Sequence, residues 1–357
     1  MKHHDETPEP AVMPGARSAP LPVTGACRRP DSAPVTCSRL GADRHGARRP
    51  GRARPSARWL LLLATLGAPA PAAAGLGVVA TTPDYGALAR AVGGAAVEVT
   101  VLAKPTEDPH FVDARPSHVV TLHRADVLIE SGAGLETGWL PPLVEGARNV
   151  KVQPGALGRI LGSDGIQLLD VPATLDRSQG DVHGQGNPHF LMDPLNARAV
   201  AGRMAEAFCA LDPGSCTAYR TNLSRFQTAL DERMKLWTAR LAPFRGRDLV
   251  TYHNTWRYFG TRFGLVTDTF LEPKPGIPPS PPHLEHVIGK MKAAAMRVVL
   301  VEPYQSRKTA EVVAAHAGAT VVDVCQFPGG LPASDDDYLA LIGANVEAIA
   351  RGLAGGP

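Results

Sequence analysis

From Leu76 to the C-terminus, short apolar runs alternate with amphipathic stretches. This is the pattern of βα units built around parallel sheets. The runs at 77–81, 97–102, 127–130, 248–252, 298–302 and 320–324 predict strands. Helical spacing of apolar positions predicts helices at 84–92, 117–123, 255–263 and 307–316, among others. The class predicted is α/β.

The pattern also repeats. Val79, Gly93 and Ile129-Glu130 recur as Val250, Gly264 and Val301-Glu302, at an offset of about 171 residues, with a strand-turn-helix reading at each place. Two similar lobes follow, each a mostly parallel sheet flanked by helices, with a cleft between them. Residues 218–241 have no internal Gly or Pro, and Leu223, Phe226, Leu230, Met234, Trp237 and Leu241 recur at spacings of three and four. They predict one long helix of about 24 residues, or about 36 Å, joining the lobes. A rigid connector of that kind implies modest closure on ligand binding. The organisation expected is an N-terminal lobe over 75–212, a connecting helix over 213–245 and a C-terminal lobe over 246–357.

Residues 1–58 break the pattern. They are rich in Pro, Arg, Ala and Gly, show neither period, and read as a basic unfolded extension. Trp59-Leu-Leu-Leu-Leu-Ala-Thr-Leu66 and the small residues up to Gly75 then follow a positive flank, the layout of a secretory signal over 59–74. The apolar run falls short of the roughly 20 residues of a membrane-spanning helix. An extension ahead of such a signal is unusual, and translation from a later start is the preferred explanation over an atypical export signal. Arg48-Arg49 lies too far from the apolar run to mark twin-arginine export.

Composition narrows the function. The chain has 357 residues, 44% hydrophobic and 20% charged, enough for two cored domains. Its net charge of +3 comes from the extension, where 11 Lys/Arg face 5 Asp/Glu; without that +6, the remainder stands at −3. A slightly acidic body offers no basic face for nucleic acid. Export also places Cys209 and Cys216, on either side of a Pro-Gly turn, where a disulfide is permitted, with two unpaired thiols as the alternative. Cys325 is left over.

Nine histidines lie beyond the signal region. His118, His123, His283, His286 and His316 fall on or at the ends of helices and read as surface residues. His110 ends the loop Lys104-Pro-Thr-Glu-Asp-Pro-His110, His189 ends Gly186-Asn-Pro-His189, and His253 follows a strand. Loops beyond strand ends are where α/β sheets present ligand-binding groups. Three imidazoles from separate segments converging on one cation fit that placement. His183 sits in the Gly-rich loop Arg177-Ser-Gln-Gly-Asp-Val-His-Gly-Gln-Gly186. The six prolines of 271–282 read as a stiff surface connection.

Several motifs together resemble the periplasmic solute-binding proteins of zinc/manganese ABC transporters, the ZnuA-like family. They are Val79-Ala-Thr-Thr-Pro-Asp84, Asp108-Pro-His-Phe-Val-Asp-Ala-Arg-Pro-Ser117, Ala125-Asp-Val-Leu-Ile-Glu-Ser-Gly132, Asn187-Pro-His-Phe-Leu-Met-Asp-Pro194, Tyr252-His-Asn-Thr-Trp-Arg-Tyr-Phe259 and Val301-Glu-Pro303. The resemblance runs from about Gly77 to Leu353. It implies metal ligands at His110, His189 and His253, with Asp323 as the nearest carboxylate for the fourth position and Cys325 or water as alternatives. It also implies that Asp181 and His183 occupy the place of a metal-capturing loop found in some zinc-binding relatives.

Three imidazoles and at most one carboxylate suit Zn²⁺ better than Mn²⁺. The expected protein is therefore a periplasmic zinc carrier delivering its ion, as transported ligand, to the membrane permease of an ABC importer. It is expected to be a monomer that touches the membrane only peripherally and binds no nucleic acid. A metal chaperone or adhesin of the same fold is the alternative. A zinc hydrolase is disfavoured, since no H-E-x-x-H, G-x-S-x-G or GxxxxGK[ST] motif occurs and His283-Leu-Glu-His286 has the wrong spacing.

Overall fold

The structure, a computed structural model, describes residues 75–173, 183–274, 276–332 and 334–355. The basic extension, the signal segment, Cys27, Cys37 and Asp181 lie outside the described residues. The first lobe is built from β1 (Leu76–Ala80), α1 (Pro83–Gly93), β2 (Val97–Val101), α2 (Pro116–Arg124), β3 (Val127–Glu130), α3 (Leu140–Ala147) and β4 (Arg159–Leu161). After α4 (Pro194–Leu211) and α5 (Cys216–Leu241) comes the second, with β5 (Asp248–Thr251), α6 (Arg257–Phe263), β6 (Val266–Phe270), α7 (Pro281–Ala293), β7 (Val298–Val301), α8 (Arg307–Ala317), β8 (Thr320–Asp323) and α9 (Tyr338–Leu353).

Each lobe holds a four-stranded parallel sheet, in the orders β2-β1-β3-β4 and β6-β5-β7-β8. The two orders are the same topology, so the sequence repeat corresponds to a structural one, with Val79 and Val250 on equivalent strands. The glycine of the repeat is displaced by one: the first helix of each lobe is followed by a glycine with positive φ, Gly264 at 75° and, in the first lobe, Gly94 at 55° rather than Gly93, which is still helical. In such a sheet, ligands bind beyond the carboxyl ends of the strands where the order switches direction. Those ends belong to β1 and β3 in one lobe, and to β5 and β7 in the other.

Two edge strands, β4 and β6, were not among the predicted runs. β4 has three residues, and Val266–Phe270 is interrupted by Asp268, so neither carries an apolar block long enough to stand out. The central strands do, because both their faces are covered: β3 and β7 are buried at every position.

The long helix runs 26 residues, about 39 Å at 1.5 Å per residue. Tyr219, Phe226, Leu230, Trp237 and Leu241 are its buried stripe, with Leu223 and Met234 packed at the margin. They belong to one apolar core that includes Val78 and Ala80 of the first sheet and Val298 and Leu300 of the second. The outer face of each sheet has its own smaller core, around Leu128 and Leu140 in one lobe and Val299 and Met291 in the other. Cys209 and Cys216 form a disulfide that closes the turn between α4 and α5.

Candidate metal site

Two of the three histidine loops are built the same way. In Asp108-Pro-His110 the aspartate Oδ1 accepts the His110 backbone N–H at 3.0 Å. In Asn187-Pro-His189 the asparagine Oδ1 accepts the His189 backbone N–H at 3.0 Å. This is the Asx turn, in which a short polar side chain bonds the backbone two residues on, with the intervening proline fixing φ. The motif is thus a local device for holding an imidazole at a set angle. The first loop is anchored by Trp139, whose Nε1–H donates to the Pro109 carbonyl at 2.9 Å. The second is tied to the opposite lobe, since Asn187 Nδ2 donates to the Asn254 carbonyl at 2.8 Å and the Tyr258 hydroxyl donates to the Asn187 carbonyl at 2.7 Å. His253 leaves the end of β5, and its carbonyl accepts from the Thr251 hydroxyl at 2.8 Å.

The three rings meet. Their centroids are 5.3 Å apart for His110 and His189, 5.2 Å for His110 and His253, and 5.2 Å for His189 and His253. One ligating nitrogen from each lies within 4.8 Å of the others. Each Nδ1 is already engaged: with Asp108 Oδ1 at 2.8 Å for His110, Glu272 Oε2 at 2.9 Å for His253, and Gln326 Oε1 at 3.1 Å for His189. An acceptor on Nδ1 makes it the protonated nitrogen and leaves Nε2 with its lone pair, the arrangement that orients and strengthens a metal-binding imidazole. The Nε2 of His189 is buried and without a partner.

His183 stands beside this group, against His110. Its Nε2 stands 3.1 Å from His110 Nε2, with the two rings stacked at 5.2 Å. Around a tetrahedral ion with bonds of roughly 2.0–2.1 Å, ligating nitrogens are about 3.4 Å apart. The 3.1 Å spacing is therefore close to that of two ligands sharing one cation. The sequence signalled it only as a single His in the place of a metal-capturing insertion.

Asp323 is not brought to the cluster. Its exposed carboxylate pairs with Arg307 and borders a separate groove with Arg233, Trp237 and Arg351. Cys325 is also elsewhere: its thiol is fully buried, pointing at the Pro105 carbonyl at 3.7 Å, and burial pushes its pKa up to about 12. The two-residue strand period that puts Asp323 and Cys325 on one face fails because β8 stops at Asp323. The chain then turns over the cleft, and the side chain it delivers to the site is Gln326, three residues on. Glu272 was likewise missed, at the start of the proline-rich stretch 271–282. The helix-borne histidines serve the fold: His123, His283 and His316 each bond a backbone carbonyl, of Ala147, Phe270 and Val312 respectively.

The electrostatics favour neutral imidazoles. Burial holds His189 well below the usual histidine value, reinforced by repulsion from His110, His253 and His183. His183 is pushed down to about 3, again first by burial and then by His110 and His253. Burial alone would raise the Asp108 carboxyl, but hydrogen bonding to His110 and attraction from His110 and His253 hold it below its ordinary value. Asp108 and Glu272 also line an open cavity of about 240 Å³ that leads to His110 and His253, bordered by Phe111, Tyr252 and Tyr304. The cleft thus offers carboxylates at its mouth and lone pairs at its base.

Known proteins share this plan. A zinc uptake system protein, ZnuA, of Paracoccus denitrificans is 30% identical over 250 residues, covering 59% of this chain and 71% of that protein. An iron ABC transporter substrate-binding lipoprotein, MtsA, of Streptococcus pyogenes is 23% identical over 288 residues, covering 78% and 89%. A crystal structure of a ZnuA superposes with a TM-score of 0.67 at 24% identity, covering 78% of this chain and 99% of that one. Residues 78–352 match the family described as the periplasmic zinc-uptake complex component A, ZnuA. With that match spanning both lobes and the histidine cleft, the chain belongs to this family of metal-binding ABC transporter solute-binding proteins.

Proposed function

We propose that the protein captures Zn²⁺ in the periplasm and delivers it to the membrane permease of an ABC importer. The observation that carries this reading is the donor set, in which three buried or half-buried imidazoles have Nδ1 tied back and Nε2 turned inward. His183, 3.1 Å from His110, stands beside this set as the candidate for a fourth donor. Asp108 and Glu272 act through the imidazoles they orient, so no carboxylate stands among the ligands. Imidazole nitrogen suits zinc, whereas manganese sites call for more oxygen. Relatives are named for iron and manganese as well as zinc, and the donor chemistry is what selects among them here.

Capture is an exchange of water for imidazole. The carboxylates at the mouth concentrate the cation, the nitrogens displace its water, and the site contracts from spacings of up to 4.8 Å toward about 3.4 Å. Release is then the permease's task, driven by ATP hydrolysis on the far side of the membrane. The Cys209–Cys216 disulfide supports an oxidising compartment. Among the described residues no helix is long and apolar enough to cross a membrane.

The test is metal analysis of the full chain beside His110→Ala, His189→Ala and His253→Ala. Stoichiometric zinc in the parent and a loss of affinity of more than about 100-fold in each variant is expected, exceeding the 10–100-fold typical of changes behind the ligands. Undiminished zinc in all three variants refutes the site; stoichiometric manganese in the parent in preference to zinc refutes the cargo.

A further inference from the structure

His110 and His253 are oriented by carboxylates, which only accept, so their tautomer follows automatically. His189 is held by an amide, and an amide can face either way. With Gln326 Oε1 toward the ring, Nδ1 carries the proton and Nε2 is free to bind metal. With the amide reversed, its NH₂ group forces the proton onto Nε2, and the buried nitrogen cannot ligate. Something must therefore fix the amide.

The surroundings supply it. Gln326 Nε2 lies 2.7 Å from the Tyr304 hydroxyl, which lies 2.7 Å from Glu302 Oε2. Gln305 sets the polarity at the far end: its Oε1 accepts the Glu302 backbone N–H at 2.9 Å, so its Nε2 is the donor to Glu302 Oε2 at 2.7 Å. The Thr255 hydroxyl reaches the same oxygen at 3.1 Å. Glu302 Oε2 thus gathers donors, while its Oε1 is buried with no partner. Reversing the chain would put a proton on the crowded Oε2 to serve Tyr304, leaving Oε1 bare. The favoured arrangement has every hydrogen pointing toward Glu302, which turns the acceptor end of Gln326 to His189.

We propose that Tyr304 and Gln326 are positioning residues for metal capture, forming with Glu302 a hydrogen-bond chain that holds His189 as its Nδ1–H tautomer and keeps its buried Nε2 bare. The inference rests on His189 being a ligand. It makes binding at one imidazole depend on a tyrosine hydroxyl two bonds removed from it.

The experiment uses the full chain, first without metal. Long-range ¹H–¹⁵N NMR of the imidazoles reads which nitrogen of His189 is protonated, assigned by its loss in His189→Ala. The wild type is expected as Nδ1–H. Tyr304→Phe frees the amide, so a population protonated at Nε2 appears and zinc affinity, measured by chelator competition, falls about 10-fold to 100-fold. Adding Gln326→Glu to Tyr304→Phe replaces the reversible amide with a carboxylate, which only accepts while ionised, and at a pH high enough to ionise it the double variant is expected to restore both the Nδ1–H signature and the affinity. A Tyr304→Phe protein that keeps the Nδ1–H tautomer and binds zinc within twofold of wild type overturns the proposal, as does a double variant that regains neither property. Failure of the zinc reading itself would show differently, as a wild-type protein that takes up no zinc while its tautomer still responds to Tyr304→Phe.

Discussion

At the scale of single residues, the site separates groups that touch the ion from those that aim them. His183→Ala should lower zinc affinity by about 10-fold, less than loss of any of the three convergent histidines, because water can enter the vacated position. Asp323→Ala should leave affinity unchanged in the same titration, since that carboxylate is engaged with Arg307. Protonation gives a second check. Ligating imidazole must be neutral, so affinity should fall as pH drops below about 6.5. Burial already keeps His189 and His183 neutral at pH 6, so zinc uptake there should release no more than about two protons per ion. Calorimetry in buffers of different ionisation enthalpy counts them, and three or more would contradict the depressed pKa values. The same depression has a stability counterpart. The unfolded chain takes up protons near pH 6.5 that folded His183 refuses until about pH 3, so His183 itself contributes a loss of stability as pH falls through that window, read as the difference between the metal-free wild type and His183→Ala unfolded at a series of pH values.

At the scale of elements, the α4–α5 corner is closed by a disulfide and the long helix packs its buried stripe into the central core. The disulfide closes a loop of about eight residues, which in the chain-entropy account contributes about 2.5 kcal/mol. Changing both Cys209 and Cys216 to Ser should lower unfolding stability by about that amount and leave zinc affinity intact, because the turn lies outside the cleft. A coincident loss of binding would mean that the corner sets the lobe geometry. Elements also explain where sequence reading succeeded. The central strands and the stripe on α5 are repetitive apolar signals set by burial on fixed faces, and they were legible. Edge strand β4 has only three residues and β6 is interrupted by the exposed Asp268, so no comparable apolar signal marks them.

At the scale of the whole molecule, an ion held by the three histidines would cross-link the lobes. His110 and His189 come from segments before α5 and His253 from beyond it, and the Asn187–Asn254 bond already spans the same gap. Zinc binding only the folded state should raise stability by about 2.7 kcal/mol when free zinc is 100 times its dissociation constant. Thermal unfolding with and without zinc measures it, and no shift under saturating zinc would mean that the ion binds outside the native cleft. The continuous core through α5 into both sheets implies that closure is a contraction of the cleft around the ion rather than a wide hinge swing.

What the sequence determined by itself is local: the βα alternation, the duplicated lobe, the long helix, and the two Pro-His loops, whose imidazoles became candidate ligands through the family resemblance. Those features arise from interactions between residues a few positions apart, or from burial patterns written along one strand or helix. The partners behind the imidazoles were decided only by the tertiary structure. Glu272, Gln326 and Tyr304 lie far along the chain from the ring they serve or act through another residue, and no spacing rule connects them. The displaced fourth position shows the same limit: a strand period holds only while the strand continues, and β8 ends before the chain reaches the cleft.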